Sequence, residues 1–259
     1  MGLIYLFKEL MAFIRFRIVA GIALLAAYGS LLNGGGKLLE VTLTAFLIFA
    51  TIYSANNLTD VDEDKINRKR LNYFSTRTAG RAVVIMTALL GLASALTLPM
   101  VSLAAYVLIA VASVAYSFLR VKKVLLVKNV YTAFFITLAF AAGSLSTGLL
   151  GKVLVDSAVM FFYVLMGTVI ADIRDVEGDS NAGIRTVPVT FGKRTTGAMM
   201  AVVSAGIVAS VVSLHLVYFY PIVPFLLVML ALLAADRIEL AHVSGTAALL
   251  ALIAFALLY

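Results

Sequence analysis

The sequence predicts an all-α integral membrane protein, a bundle of nine transmembrane helices with its N-terminus in the cytoplasm. Three observations predict it. Of 259 residues, 63% are hydrophobic and only 13% charged, with a mean hydropathy of +1.08; soluble domains run at roughly 25% charged and 45–50% apolar. Apolar runs of spanning length, ~20 residues each, recur along the whole chain. The basic residues lie almost entirely on one side of those runs.

The first span is placed at 13–33. Lys8, Arg15 and Arg17 precede it as they would a signal peptide, but its apolar run continues to Leu32 without a clear cleavage site, so it is read as a span. The second, 38–57, ends in the charged stretch NNLTDVDEDKINRKR. The third and fourth, 82–98 and 101–119, come from one apolar run too long for a single helix, with Pro99 near its middle. The fifth and sixth are 129–150 and 154–172. The seventh and eighth, 195–214 and 217–235, again divide one run, at Pro221 and Pro224, and the ninth is 242–259. Proline suits the tight reversals because it cannot continue a helix.

Orientation follows from charge. Eighteen of the twenty Lys and Arg fall on one face, and only Lys37 and Lys152 on the other. Positive charge stays inside, so the N-terminus is cytoplasmic and the C-terminus outside. The long inner loops, 58–81, 120–128 and 173–194, place the chemistry toward the cytoplasm of a multi-pass cell-membrane protein. The net charge of +7 points to an anionic leaflet and an anionic substrate. It does not point to nucleic acid, because no basic domain stands outside the spans. With no cysteine and only two histidines, His215 and His242, thiolate and imidazole metal chemistry is not expected.

Two inner segments resemble each other. Asn56-x-x-x-Asp60-x-x-x-Asp64 closes the second span, and Asp175-x-x-x-Asp179 closes the sixth. Asp60 to Asp175 and Asp64 to Asp179 are both 115 residues. This is the signature of a parallel repeat of about four helices within one domain covering 1–259. Positions i, i+4 and i+8 share one helical face, with a drift of about 40° per step. Asn56, Asp60 and Asp64 therefore point one way, and Asp172, Asp175 and Asp179 do likewise. Like charges at this spacing repel, and acids near lipid are costly unless paired or wetted. Two arrangements offset that cost: a rim of salt bridges to nearby arginines, or divalent cations held between the helices. An all-oxygen ligand set selects Mg²⁺ or Mn²⁺, and Mg²⁺ completes its shell with water and substrate phosphate. The recurrence of the two motifs on one face favours cations clamping a diphosphate.

The first motif with its following INR, the long stretch DIRDVEGDSNAGIRTVPVTFGK, and the intervening YSFLR together resemble the UbiA superfamily of membrane prenyltransferases. The resemblance covers most of the chain. It departs where many members carry Asp after the first Asn, here Asn57. The first inner loop, NRKRLNYFSTRTAGR, lacks that family's prolines. Arg15 is followed by Ile18, where Asn or Thr is usual.

The resemblance implies a nine-helix bundle around a central cavity that opens sideways to lipid. It implies that Asn56, Asp60, Asp64, Asp175 and Asp179 hold Mg²⁺ against the diphosphate of an allylic prenyl donor. Arg68 and Arg120 would bind diphosphate, and Tyr116 would touch the donor's first isoprene unit. Arg15, Asp172, Lys123 and Tyr131 complete the candidate substrate contacts. Tyr131, Phe134 and Phe135 offer aromatic faces to an allylic cation, a stabilisation of ~0.5–2 kcal/mol each, or else serve as ordinary packing. The closest-looking branch transfers geranylgeranyl to geranylgeranylglyceryl phosphate in archaeal ether-lipid synthesis, a branch whose acidic acceptor suits the inner-loop lysines and arginines. An aromatic quinone precursor is the alternative acceptor.

A transporter would place its charges near the midplane, whereas here the acids cluster at one face. The D-x-x-D-G-x-x-A-R pattern of CDP-alcohol phosphotransferases is absent, and hydropathy excludes soluble prenyl-chain synthases.

Overall fold

The structure is a computed structural model that describes residues 2–61, 65, 70–119, 127–146, 150–181 and 183–258; the side chains of 114–119 and 150 are not described. Among the described residues it is helical throughout. Each of the nine predicted segments overlaps a helix in its described part, but the first is broken at Arg15 and the eighth begins in a short 3-10 turn, Val217–Phe219. A short N-terminal helix that the sequence reading did not separate comes first, α1 (Leu3–Phe13). Then come α2 (Phe16–Leu31), α3 (Leu38–Thr59), α4 (Thr78–Ala95), α5 (Met100–Leu119), α6 (Val127–Leu145) and α7 (Leu150–Arg174). Two short helices, α8 (Val176–Asn181) and α9 (Val187–Phe191), lead into α10 (Lys193–Ser213). The chain closes with α11 (Ile222–Ala234) and α12 (Ile238–Leu258).

In lipid every backbone polar group must be satisfied within the segment, so uniformly apolar runs fold as helices. Among the described residues six helical stretches are long and apolar enough to cross a membrane, one of them Val217–Ala234 ending in α11, and seven if α1 and α2 count as one bent span. That bend is 56°. It occurs at Arg15, whose φ of 51° is left-handed and cannot continue the helix. Pro99 immediately precedes α5, and Pro221 caps α11, as reversal points require.

Direction follows from polar pairs between helices. Thr44 in the first half of α3 meets Ser94 at the end of α4 at 2.7 Å. The Tyr106 hydroxyl, early in α5, donates to the Val41 carbonyl, early in α3, at 3.3 Å. Ser102 of α5 donates to the Ala142 carbonyl near the end of α6, at 2.8 Å. Lys128 at the start of α6 reaches Asp172 at the end of α7. Hence α3, α5 and α7 run parallel, with α4 and α6 antiparallel to them. The two acidic motifs therefore emerge at the same end of the bundle.

Two cores divide the interior. One gathers Phe13, Val19, Val41, Phe49, Tyr106 and Ile109 from the first helices. The other gathers Met160, Ile170, Met200, Phe219, Leu226 and Leu252 from the later ones. α2 and α6 contribute to both and form the wall between them. They approach closely through glycine: a Cβ on Gly29 would lie 2.2 Å from the Phe140 carbonyl oxygen, and one on Gly143 would lie 2.1 Å from that of Ala26. Small residues at such crossings let helix backbones pack where lipid supplies no hydrophobic drive.

Candidate active site

The first motif closes α3. The Asp60 amide donates to the Asn56 carbonyl at 2.9 Å, so one helical turn joins the two residues. Asn56 and Thr59 lie at one end of a cavity of about 450 Å³ bounded by α3, α4 and α5. Its walls include Ile48, Ala88, Leu92, Tyr106 and Ala110. Leu92, Val107 and Val111 on its margin are exposed, so it opens through the side of the bundle. From Thr59 to Ile48 the α3 wall is about 16 Å long at 1.5 Å per residue.

Beside this motif, Asn57 bridges to the α1–α2 bend. Its amide donates to the Phe13 carbonyl at 2.6 Å, and its carbonyl oxygen accepts from Arg15 at 3.4 Å. Arg15 also lies over the Tyr53 ring, 5.4 Å from its centroid. The structure thus places Arg15 next to the first motif, on Asn57 and Tyr53.

The second motif straddles a helix break. α7 ends at Arg174 and α8 starts at Val176, yet helical hydrogen bonds run through. The Asp175 amide donates to Ala171 at 3.1 Å, and the Asp179 amide donates to Asp175 at 2.9 Å. Asp175 is exposed and takes two hydrogen bonds from Arg174, at 2.9 and 3.2 Å. Asp179 is turned inward. Asp172, one turn earlier and 2% exposed, is fully engaged: Lys128 donates to Oδ1 and Asn129 to Oδ2, both at 2.8 Å. Lys128 Nζ also lies 3.9 Å from Asp179 Oδ2.

Lys128 and Asn129 were not singled out as site residues from the sequence. Their signal was nonetheless present. An ammonium and an amide in the first turn of an otherwise apolar helix are expensive beside lipid, and imply a polar task there. Tyr131 donates its hydroxyl to the Ala112 carbonyl and packs against Phe135 at 4.4 Å, tying α6 to α5. Phe135 is buried and Phe134 exposed on the flank of the bundle. Asp64, Arg68, Arg120 and Lys123, and the side chain of Tyr116, lie outside the described residues.

Among the described residues no three His, Cys, Asp or Glu converge as a metal cluster; Asp62, Glu63 and Asp64 of the first motif are outside them. The donors that are described, Asn56, Asp60, Asp175 and Asp179, offer only oxygen, which fits a hard cation such as Mg²⁺.

A bundle of apolar helices with acidic motifs at one end, and a lateral cavity beside the first of them, defines a multi-pass membrane protein, and residues 16–249 match the family model of UbiA prenyltransferases. The chain belongs to the UbiA prenyltransferase family and is an intramembrane prenyltransferase. It is 28% identical over 198 residues to the digeranylgeranylglyceryl phosphate synthase of Sulfolobus acidocaldarius, covering 73% of this chain and 71% of that one. It is 30% identical over 202 residues to the synthase of the same name from Methanoculleus marisnigri, covering 74% and 71%. A UbiA homologue from Archaeoglobus fulgidus, solved with DMAPP and Mg²⁺, superposes with a TM-score of 0.73 at 17% identity over 95% of this chain and 99% of that one. That likeness establishes the shared fold.

Proposed function

We propose that this protein transfers a geranylgeranyl group from its allylic diphosphate to the free hydroxyl of geranylgeranylglyceryl phosphate, forming the second ether bond of an archaeal lipid. The observation that carries this reading is the similarity to two curated synthases of that name over more than 70% of the chain. The site chemistry agrees with it: carboxylates and an internal ammonium at one end, and an apolar cavity running away from Asn56.

Nine crossings with the N-terminus in the cytoplasm fit the charge asymmetry, and the two cores support reading the chain as a repeat of about four helices. Asn56, Asp60, Asp64, Asp175 and Asp179 would hold Mg²⁺, which, when bound, neutralises charge on the diphosphate. Arg68 and Arg120 are assigned to the diphosphate oxygens, and Lys123 to the acidic acceptor. Asp172 acts by holding Lys128, whose ammonium faces Asp179. Arg15 acts through Asn57 to set the end of α3.

The donor chain lies in the cavity between α3, α4 and α5. The C–O bond ionises, its electron pair leaving with the diphosphate oxygen, and cationic side chains stabilise the developing charge. The apolar walls exclude the water that would quench the allylic cation. Tyr116 is the residue that the family resemblance assigns to the donor's first isoprene unit. The acceptor hydroxyl oxygen captures it, and its proton passes to a motif carboxylate, Asp60 or Asp64.

The test uses purified protein with Mg²⁺ and labelled geranylgeranyl diphosphate, offered geranylgeranylglyceryl phosphate and 4-hydroxybenzoate in competition. Transfer to the glyceryl phosphate, abolished by EDTA and by Asp60→Ala, is the expected result. Transfer to the aromatic ring keeps the ionisation chemistry and moves the acceptor to quinone precursors. No diphosphate release with any prenyl donor overturns the proposal.

A further inference from the structure

The inner end of α1 grips both flanks of the first inner loop. Glu9 is 8% exposed, an unusual place for a carboxylate on a short surface helix. Both of its oxygens are used: Oε1 accepts from Arg70 at 2.6 Å and Oε2 from the Tyr73 amide at 2.9 Å. Its backbone carbonyl accepts from the Asn72 side chain at 2.8 Å. Arg70 also donates to the Tyr5 hydroxyl, one turn earlier on α1, at 3.1 Å. The far flank of the loop is therefore fastened to α1 by side chain and backbone together.

The near flank is fastened to the same helix. Asn57, adjacent to Asn56, donates to the carbonyl of Phe13, the last residue of α1. The Phe13 ring packs against Phe74 at 5.7 Å. Gly80 closes the cluster: a Cβ there would meet the Phe74 carbonyl oxygen at 2.1 Å and Leu58 at 3.2 Å. Five residues of α1, Glu9 to Phe13, thus fix both the last turn of α3 and the 70–74 segment. The opposite face of α1 leaves Leu3, Ile4 and Phe7 exposed, as a helix resting at a lipid surface does.

We propose that Glu9 is a positioning residue for the first motif, and that α1 is the strap through which it sets the geometry of Asn56 and Asp60. The proposal rests on the prenyl-diphosphate reading of that motif. Among the described residues Glu9 touches no proposed cation ligand itself and acts on them through α1 and its partners Arg70, Asn72 and Tyr73, so its loss is expected to weaken metal binding at the lower end of the about 10–100-fold that losing a ligand's direct partner costs.

The test is Mn²⁺ binding to the resting protein, followed by the free-ion electron paramagnetic signal, alongside the metal dependence of prenyl transfer. Glu9→Ala is expected to raise the Mn²⁺ dissociation constant and the metal half-saturation of transfer by about tenfold or more. Arg70→Ala, at a residue whose side chain is 74% exposed and so compatible with folding, shifts both the same way by a smaller factor. Glu9→Gln, which keeps an acceptor for the Tyr73 amide, recovers part of the loss. Val41→Ala, buried in the opposite half of α3, lowers thermal stability but leaves the metal constants unmoved. Wild-type activity with unshifted metal constants in Glu9→Ala and Arg70→Ala overturns the strap alone. Absence of both Mn²⁺ binding and transfer in the wild type overturns the functional reading and the strap with it.

Discussion

Lys128 Nζ lies 2.8 Å from Asp172 Oδ1 and 3.9 Å from Asp179 Oδ2, so one ammonium at the start of α6 serves two carboxylates, one in the last turn of α7 and one in α8. Removing it leaves Asp172 buried with Asn129 as its one remaining donor among the described residues. Breaking a buried pair costs about 3–5 kcal/mol, and with Lys128 a third exposed we expect about 2 kcal/mol from Lys128→Met. Thermal unfolding in detergent measures it. Adding Asp172→Asn should recover part of the loss; additive single losses would show that the two groups are not coupled.

Asn57 sits where many family members carry Asp, and the structure explains the amide. Its nitrogen must donate to the Phe13 carbonyl while its oxygen accepts from Arg15. A carboxylate can only accept. Asn57→Asp is therefore expected to lower transfer activity several-fold and to loosen α1, read as faster hydrogen exchange over 3–13. Unchanged exchange there would remove the bridge from the account.

The α2–α6 crossing tolerates no side chain at Gly29 or Gly143. Each substitution to Ala forces the backbones apart, and overpacking of this kind costs about 1–3 kcal/mol. Since this wall joins the two cores, both variants should lower the unfolding midpoint while a Gly21→Ala control, with nothing within 4 Å, does not.

If the cavity beside Asn56 receives the donor chain, narrowing it should shorten the donor it accepts. Ala110→Phe projects a ring into the space between α3 and α5. Competition between geranyl and geranylgeranyl diphosphates should then move toward the shorter donor, by about tenfold or more on the scale of one or two kcal/mol of lost fit. An unchanged ratio would place the chain elsewhere.

Much of this was legible before the fold was seen. Uniform hydrophobicity marks helices when water is not the solvent, so the helical segments and the two acidic helix ends could be located by run length and offset, while six or seven of the nine expected spans have spanning length among the described residues. The same uniformity hides which face of a helix turns inward, because apolar residues line both the core and the lipid side. Hence Phe134 and Phe135, adjacent in sequence, part ways to the exterior and the core. The break at Arg15 lies inside an apolar run and depends on a left-handed residue without glycine to announce it. The grip of Glu9 on Tyr73 and of Lys128 on Asp172 spans 64 and 44 residues, distances over which one sequence shows no pairing. Asp172 read as a third acid of the motif; only its two donors reveal that its oxygens are already taken.

The lateral mouth framed by Leu92, Val107 and Val111 has a kinetic consequence. A chain that enters through the flank arrives by diffusion in two dimensions. The quantity that fills the cavity is then the mole fraction of that chain among its neighbouring lipids, and bulk molarity has little bearing on it. Diluting a fixed amount of donor with inert lipid should slow the enzyme even when the volume of the assay never changes.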